Sequence, residues 1–257
     1  MTFRNAIVRR PAGNFADGLT SVELGRPSHE KAIEQHGHYC EALARCGLQL
    51  TVLEADLRYP DSTFVEDVAI LAHGSAILTR PGAPSRQGEV TEIRGTIREH
   101  FRVTREITAP GTLDGGDVCE ADDHYFIGIS KRTNEEGARQ LAQFLALDGC
   151  TSSCIDIRSM ETLLHLKSGI AYLGEGNFVA TPELYNHLPA DRYKILRVDS
   201  RESYAANCLR INEHLLVPSG FPGVRAAVEQ LGYATIALDM SEYQKMDGGL
   251  TCLSLRF

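Results

Sequence analysis

No stretch of this 257-residue chain approaches the roughly 18 consecutive apolar residues that a membrane-spanning helix requires. The opening MTFRNAIVRRP also lacks the apolar segment of a secretory signal. These two absences predict a cytoplasmic protein that makes no use of a membrane. Runs of Lys and Arg are missing as well. With a formal net charge of -8 and no basic cluster to displace counterions, nucleic acid is not expected as a partner, whereas a small cationic ligand suits an acidic chain. Paired CxxC spacing is absent. The seven cysteines, an odd number, read as reduced thiols rather than a disulfide framework. No HExxH, GxGxxG, P-loop or GxSxG signature occurs. His36 and His38 form an HxH pair, but they fall in an amphipathic helix pattern and are expected to face solvent, so no metal or other cofactor is predicted. Finally, no Pro/Ser/Gly-rich or single-charge tract divides the chain, which predicts one domain over residues 1–257.

What is present is a pattern that returns. Hydrophobic residues make up 43% and charged residues 23%, enough to build a core. Five segments have helical periodicity: 29–46, 87–101, 134–147, 182–188 and 222–231. Each is followed by a short apolar strand candidate, at 48–53, 103–107, 154–157, 195–198 and 235–238, several reached through a glycine in C-cap position such as Gly47, Gly149 or Gly232. Four of the helices are preceded by a stretch that reads as a β-hairpin: VAILAHGSAILTR, DVCEADDHYFIGIS, GIAYLGEGNFVAT and NCLRINEHLLVPS. Their centres carry His73-Gly74-Ser75, Asp122-Asp123, Glu175-Gly176-Asn177 and Asn212-Glu213, residues that tolerate tight or left-handed backbone. The unit is hairpin, helix, strand. Only the first helix lacks its hairpin, and the two chain ends can supply it, with 252–256 as one strand and 6–9 as the other. Closure of that kind leaves no open sheet edge around the ring. The fold class expected is α/β, a five-bladed pseudosymmetric propeller.

If the repeats superpose, the residues that lead into each hairpin meet at one end of the axis. They are Glu66-Asp67, Asp114 to Asp117 in TLDGGD, His165 in LHLKSG, Asn207 in AANC and Cys252 in GGLTC. A thiol beside an imidazole and carboxylates is a nucleophile constellation, in which the imidazole is expected to depress the thiol pKa and to shuttle a proton. Glu66 and Asp67 sit between Phe64-Val65 and Val68-Ala69, so at least one should be partly buried and should need a cationic partner.

These residues also carry a resemblance. PDSTFVEDVAI, LTRPGAPSRQGE, APGTLDGGDV, SKRTNEEGARQL, LHLKSG, SYAANC and KMDGGLTCLS together resemble the dimethylarginine dimethylaminohydrolases of the amidinotransferase and deiminase superfamily, in collinear order along nearly the whole chain. The resemblance implies the fivefold (pentein) propeller and hydrolysis of asymmetric dimethylarginine or monomethylarginine to citrulline and a methylated amine. It implies Cys252 as nucleophile, His165 as proton donor and Asp114 as the carboxylate beside it, with Asp117 as the alternative because Asp stands where some members carry the longer Glu. Also implied are Asp61, Glu66 and Asp67 around the guanidinium, Arg86 and Arg132 on the α-carboxylate, and main-chain contacts at Leu19 and Met246. The partner expected is a small guanidino substrate. A homodimer is left open, and the alternatives are an arginine deiminase-like activity or a non-catalytic binding propeller.

Overall fold

The computed structural model describes residues 2–72 and 74–257, so His73 of the first expected turn lies outside the described residues. The chain opens with β1 (Asn5–Arg9), α1 (His29–Arg45) and β2 (Gln49–Leu53). The second unit is β3 (Ala69–Ala72), β4 (Ser75–Leu78), α2 (Glu89–His100) and β5 (Val103–Glu106). The third is β6 (Val118–Ala121), β7 (His124–Ile129), α3 (Glu135–Leu147) and β8 (Thr151–Asp156). The fourth has strands β9 (Ile170–Gly174), β10 (Asn177–Ala180) and β11 (Lys194–Arg197). The fifth is β12 (Leu209–Ile211), β13 (His214–Pro218), α4 (Pro222–Gln230) and β14 (Ala234–Leu238), followed by the single turn α5 (Ser241–Gln244) and by β15 (Leu255–Arg256).

Among the described residues these strands form five three-stranded sheets. In each, the middle strand runs antiparallel to the first and parallel to the third, as β6-β7-β8 shows. In four of the five an α-helix is the crossover that parallel pairing requires, and in the fourth unit the connection holds only the 3₁₀ turn Tyr185–His187. The last sheet is assembled from both chain ends: Ala6 pairs with Arg256 and Ile7 with Leu255, while β1 runs parallel to β2. The ring closes as the repeat predicted. The hairpin turns meet their backbone demand with Asp122 (φ 56), Glu175 (φ 54) and Asn212 (φ 52) in left-handed conformation, which short polar side chains accept more readily than apolar ones.

Three expectations need correction. Residues 182–188 form no α-helix; the segment holds only a 3₁₀ turn at Tyr185–His187. Seven residues are too few to pass the nucleation barrier without strong formers, and Pro189 ends the run. Residues 252–256 are not one strand either, because Thr251–Leu253 is a 3₁₀ turn and only β15 pairs. The backbone N–H of Thr251 is bonded to Asn207 Oδ1 and is turned away from any sheet. His36 does not face solvent: it lies on the same stripe as Ala32, Tyr39 and Leu43 and is buried, and burial, with Arg10 nearby, pushes its pKa down to about 4. His38 is exposed.

The ring is latched where its ends meet. Asn212 Oδ1 accepts the Phe3 N–H at 2.8 Å, and Asn212 Nδ2 donates to Phe3 O at 3.0 Å and to Cys46 O at 2.9 Å. Asn212→Ala is therefore expected to lower the unfolding free energy by about 2–4 kcal/mol. Asn212→Gly, which also loses the bonds but relieves the left-handed backbone, should be milder by about 1 kcal/mol. Denaturant titration of both variants checks the order.

Candidate active site

Every first strand of a blade is preceded by a 3₁₀ turn: Val65–Val68, Gly115–Asp117, Leu166–Ser168, Ser200–Ala206 and Thr251–Leu253. These turns carry the polar lead-in residues to the axis. Glycine makes their approach possible. A Cβ on Gly115 would lie 1.9 Å from the carbonyl oxygen of Glu66, and one on Gly116 would lie 2.7 Å from Nδ1 of His165. The TLDGGD segment thus lets two neighbouring turns pack against it without intervening side chains.

Leu19, Asp61, Asp67, Arg86, Arg132, His165, Met246 and Cys252 line one cavity together, joined by Phe64, Leu164, Asp247 and Gly248. Its volume, about 20 Å³, admits about one water molecule. On its Leu19 side the Leu19 N–H donates to Asp61, and nearby the Ser21 N–H donates to Asp247 Oδ2 at 2.6 Å.

Two of the expected residues stand outside the cavity. Asp114, fully buried, lies behind His165 and accepts from its Nε2 at 3.0 Å, while its other oxygen accepts the Gly82 N–H at 2.8 Å. This contact decides between the two candidate carboxylates. Asp117 instead takes the Leu166 N–H and the hydroxyls of Ser130 and Thr133. Glu66 turns the other way, into a larger axial cavity of about 470 Å³ on the opposite side. There it meets Lys167 Nζ at 2.7 Å and Arg256 Nη2 at 3.3 Å, and Thr251 Oγ1 donates to it at 2.8 Å. Asp67 and Arg86 form a buried pair at 2.6 Å, with Glu89 on the far side of the same guanidinium at 2.9 Å. Both members of Glu66-Asp67 thus have the cations that their burial demands.

The buried charges reset one another. Burial alone would lower the His165 pKa, but Asp67, Asp117 and Asp114 outweigh it and raise the value to about 9. The imidazolium is therefore the neutral-pH form. Asp67, despite burial, is held down to about 2 by His165 and Arg86. The expectation for the thiol is reversed. Burial, then Glu66 and Asp67, push Cys252 up to about 12, against the Gly249 N–H that reaches Sγ at 3.4 Å. Burial and the two carboxylates outweigh Gly249 and Lys167, and the thiol keeps its proton.

Asp67, Asp114 and His165 bring ligand-type atoms within 4.8 Å of one another. An ion there would have to displace Arg86 from Asp67 and the shared proton between His165 and Asp114. The three residues are thus already engaged as a network that holds a proton.

The family model described as Arginine deiminase matches residues 59–217. A dimethylarginine dimethylaminohydrolase of Pseudomonas aeruginosa is 44% identical over 99% of this chain and 100% of its own length. The chain belongs to the dimethylarginine dimethylaminohydrolase family. A Streptomyces coelicolor protein of the same designation is 33% identical over the whole chain and 98% of its own. Among solved structures, a cysteine-to-serine mutant of the P. aeruginosa enzyme complexed with citrulline superposes with a TM-score of 0.96 at 44% identity, full length on both sides. The N-terminal domain of the cyanobacterial arginine dihydrolase ArgZ superposes with a TM-score of 0.88 at 17% identity, covering 100% of this chain and 97% of that domain. That likeness shows the propeller alone.

Sequence reasoning on this family member missed Thr251, Lys167 and Arg256, which flank the named residues on the turns and on β15. Their only signal is adjacency to Cys252, His165 and the closing strand. The raised His165 pKa has a consequence for stability. A group raised from 6.5 to about 9 stabilises the fold fully below the lower value and loses that contribution as pH climbs through the higher one. Denaturation midpoints should fall between those two values, and His165→Gln should flatten that decline.

Proposed function

We propose that the protein hydrolyses Nω-methylated arginines to citrulline and the methylated amine through a covalent adduct on Cys252. One observation carries this reading: the Cys252 thiol lines one cavity with the His165 imidazole and the carboxylates of Asp61 and Asp67. A cationic guanidinium entering this cavity offsets those carboxylates and allows the thiol to ionise, one proton leaving as the cation arrives.

The two ends of the substrate find different partners. At one end Asp61 accepts from the Leu19 main chain, and no carboxylate of the described residues lies within ion-pair distance of Arg132. An α-ammonium and an α-carboxylate suit this end, with the main chain of Leu19 and Met246 beside them. Arg86 contributes field rather than a free fork, since Asp67 and Glu89 already hold it. At the deep end Asp67 faces the guanidinium beside His165, and Asp114 holds the imidazole from behind. Glu66 acts from behind the wall as a charge balanced by Lys167 and Arg256.

The Cys252 thiolate adds to the guanidinium carbon, forming a C–S bond. His165 passes its proton to the departing amine nitrogen as the C–N bond breaks, leaving a thiouronium cation and a neutral imidazole. Water then attacks the same carbon and gives its proton to His165. The C–S bond breaks as the remaining hydroxyl proton passes to solvent, where the released amine takes up a proton; citrulline leaves, and the thiolate and imidazolium are restored. Asp114 holds the ring in place for both transfers. No step calls for a cofactor.

Arginine itself could follow the same steps with loss of ammonia, and the Arginine deiminase family match makes that the second reading. Parallel incubation with dimethylarginine, monomethylarginine and arginine decides between them by the amine released alongside citrulline. Cys252→Ser should fold and release none. Because His165 is protonated to about pH 9, turnover should fall on the alkaline side of that value. Arg132→Gln should raise KM about tenfold or more with kcat little changed, as loss of ground-state binding does. A kcat loss at constant KM would remove Arg132 from carboxylate binding.

A further inference from the structure

The nucleophile and the proton donor stand on blades that are not adjacent. His165 opens the turn before β9 and Cys252 lies in the turn before β15, with the β12 blade between them. Their separation therefore depends on what that middle blade does at the axis. The residue it places there is Asn207, at the end of its own lead-in turn.

The carboxamide of Asn207 is buried, and its bonds reach to both sides. Nδ2 donates to Lys167 O at 2.9 Å, two residues beyond His165, and to Thr251 Oγ1 at 3.1 Å, one residue before Cys252. Oδ1 accepts the Thr251 N–H at 3.0 Å. Both donors and one acceptor site are used, and none of these bonds is local to its own turn. The amide also lies flat against Gly249, where a Cβ would come within 2.6 Å of Asn207 Cγ. Gly249 is the residue whose N–H meets Sγ. Thr251 Oγ1, bonded to Asn207 and donating to Glu66, stands 3.9 Å from Sγ.

We infer that Asn207 is the positioning residue that sets the distance between Cys252 and His165, by clamping the main chain of the histidine turn to the nucleophile turn through Thr251. An ordinary structural asparagine would cap its own turn or bridge its own hairpin. This one spends its side chain on the two turns that carry the reacting groups. The groups proposed to bind substrate, Asp61, Asp67 and Arg132, come from the other side of the ring and do not touch it. The clamp should thus govern the covalent steps and leave substrate capture largely alone.

The inference rests on the hydrolase reading above, so its test has an arm that needs no turnover. With dimethylarginine as substrate, Asn207→Ala in the full chain should lower kcat by about a hundredfold, the loss expected for reacting groups misplaced by an ångström, with KM within about threefold. Thr251→Val should reproduce the loss, and Thr251→Ser, which restores the hydroxyl, should recover most of it. In the second arm, iodoacetamide alkylation of Cys252 is followed against pH. Freeing the turn admits water to a thiol that burial keeps protonated among Glu66, Asp67, His165 and Lys167, so the alkylation midpoint should move to lower pH in Asn207→Ala. A kcat and an alkylation profile both like the parent's would overturn the inference, as would a loss confined to KM. If the parent protein releases no citrulline, the hydrolase reading fails and the alkylation shift alone decides the clamp. If Asn207→Ala does not fold, Thr251→Val is read in its place by the same criteria.

Discussion

The structure depends on how charge is balanced where the five blades meet. Each blade turns a polar residue toward the axis, and the packing there excludes water from most of them. Buried ions persist only when paired, and the pairs at this axis are long-range in sequence: Glu66 with Lys167 and Arg256, Asp67 with Arg86, and Asp114 with His165. Glu66 with Lys167 and Asp114 with His165 each join two blades, Glu66 with Arg256 joins a blade to the closing strand, and Asp67 with Arg86 lies within the second unit. The ionic network and the closed ring therefore support each other, and a propeller that failed to close would leave Glu66 without Arg256.

That balance is incomplete on the side of the small cavity. Among the described residues Asp61 accepts from the Leu19 main chain, and burial raises its pKa against Arg86 and Arg132, while Cys252 is kept from ionising by burial and two carboxylates. Carboxylates lie around Cys252, and Arg132 lines the same cavity. A molecule bearing a guanidinium and an α-carboxylate complements both. Chemistry and recognition then follow from the same charges, since the cation that fits the cavity is also the one that permits the thiolate to form.

Much of this was legible in the sequence. The hairpin, helix and strand order, the closing of the ring by the two ends, and the convergence of Asp67, Asp114, His165 and Cys252 all follow from periodicity and from where polar residues interrupt apolar runs. The failures have physical causes. β8 begins at Thr151 rather than Cys154 because its first residues are polar and lie on an exposed face, which leaves no hydrophobic alternation to read. His36 was misplaced because an imidazole on a helix stripe carries no pattern of its own. The thiol's ionisation depends on the sum of carboxylates delivered by segments nearly two hundred residues away, a quantity no local motif encodes. Asn207 was visible as a position in the repeat, but its bonds to Lys167 and Thr251 exist only once the neighbouring blades are in place.

Burial and the carboxylates of Glu66 and Asp67 keep the Cys252 thiol protonated until a cationic substrate enters. Ultraviolet titration of the free protein, read as the thiolate difference between the parent chain and Cys252→Ser, measures this directly. The account predicts no Cys252 thiolate at neutral pH, with ionisation only in the strongly alkaline range. A full thiolate signal at neutral pH in the free protein would contradict it.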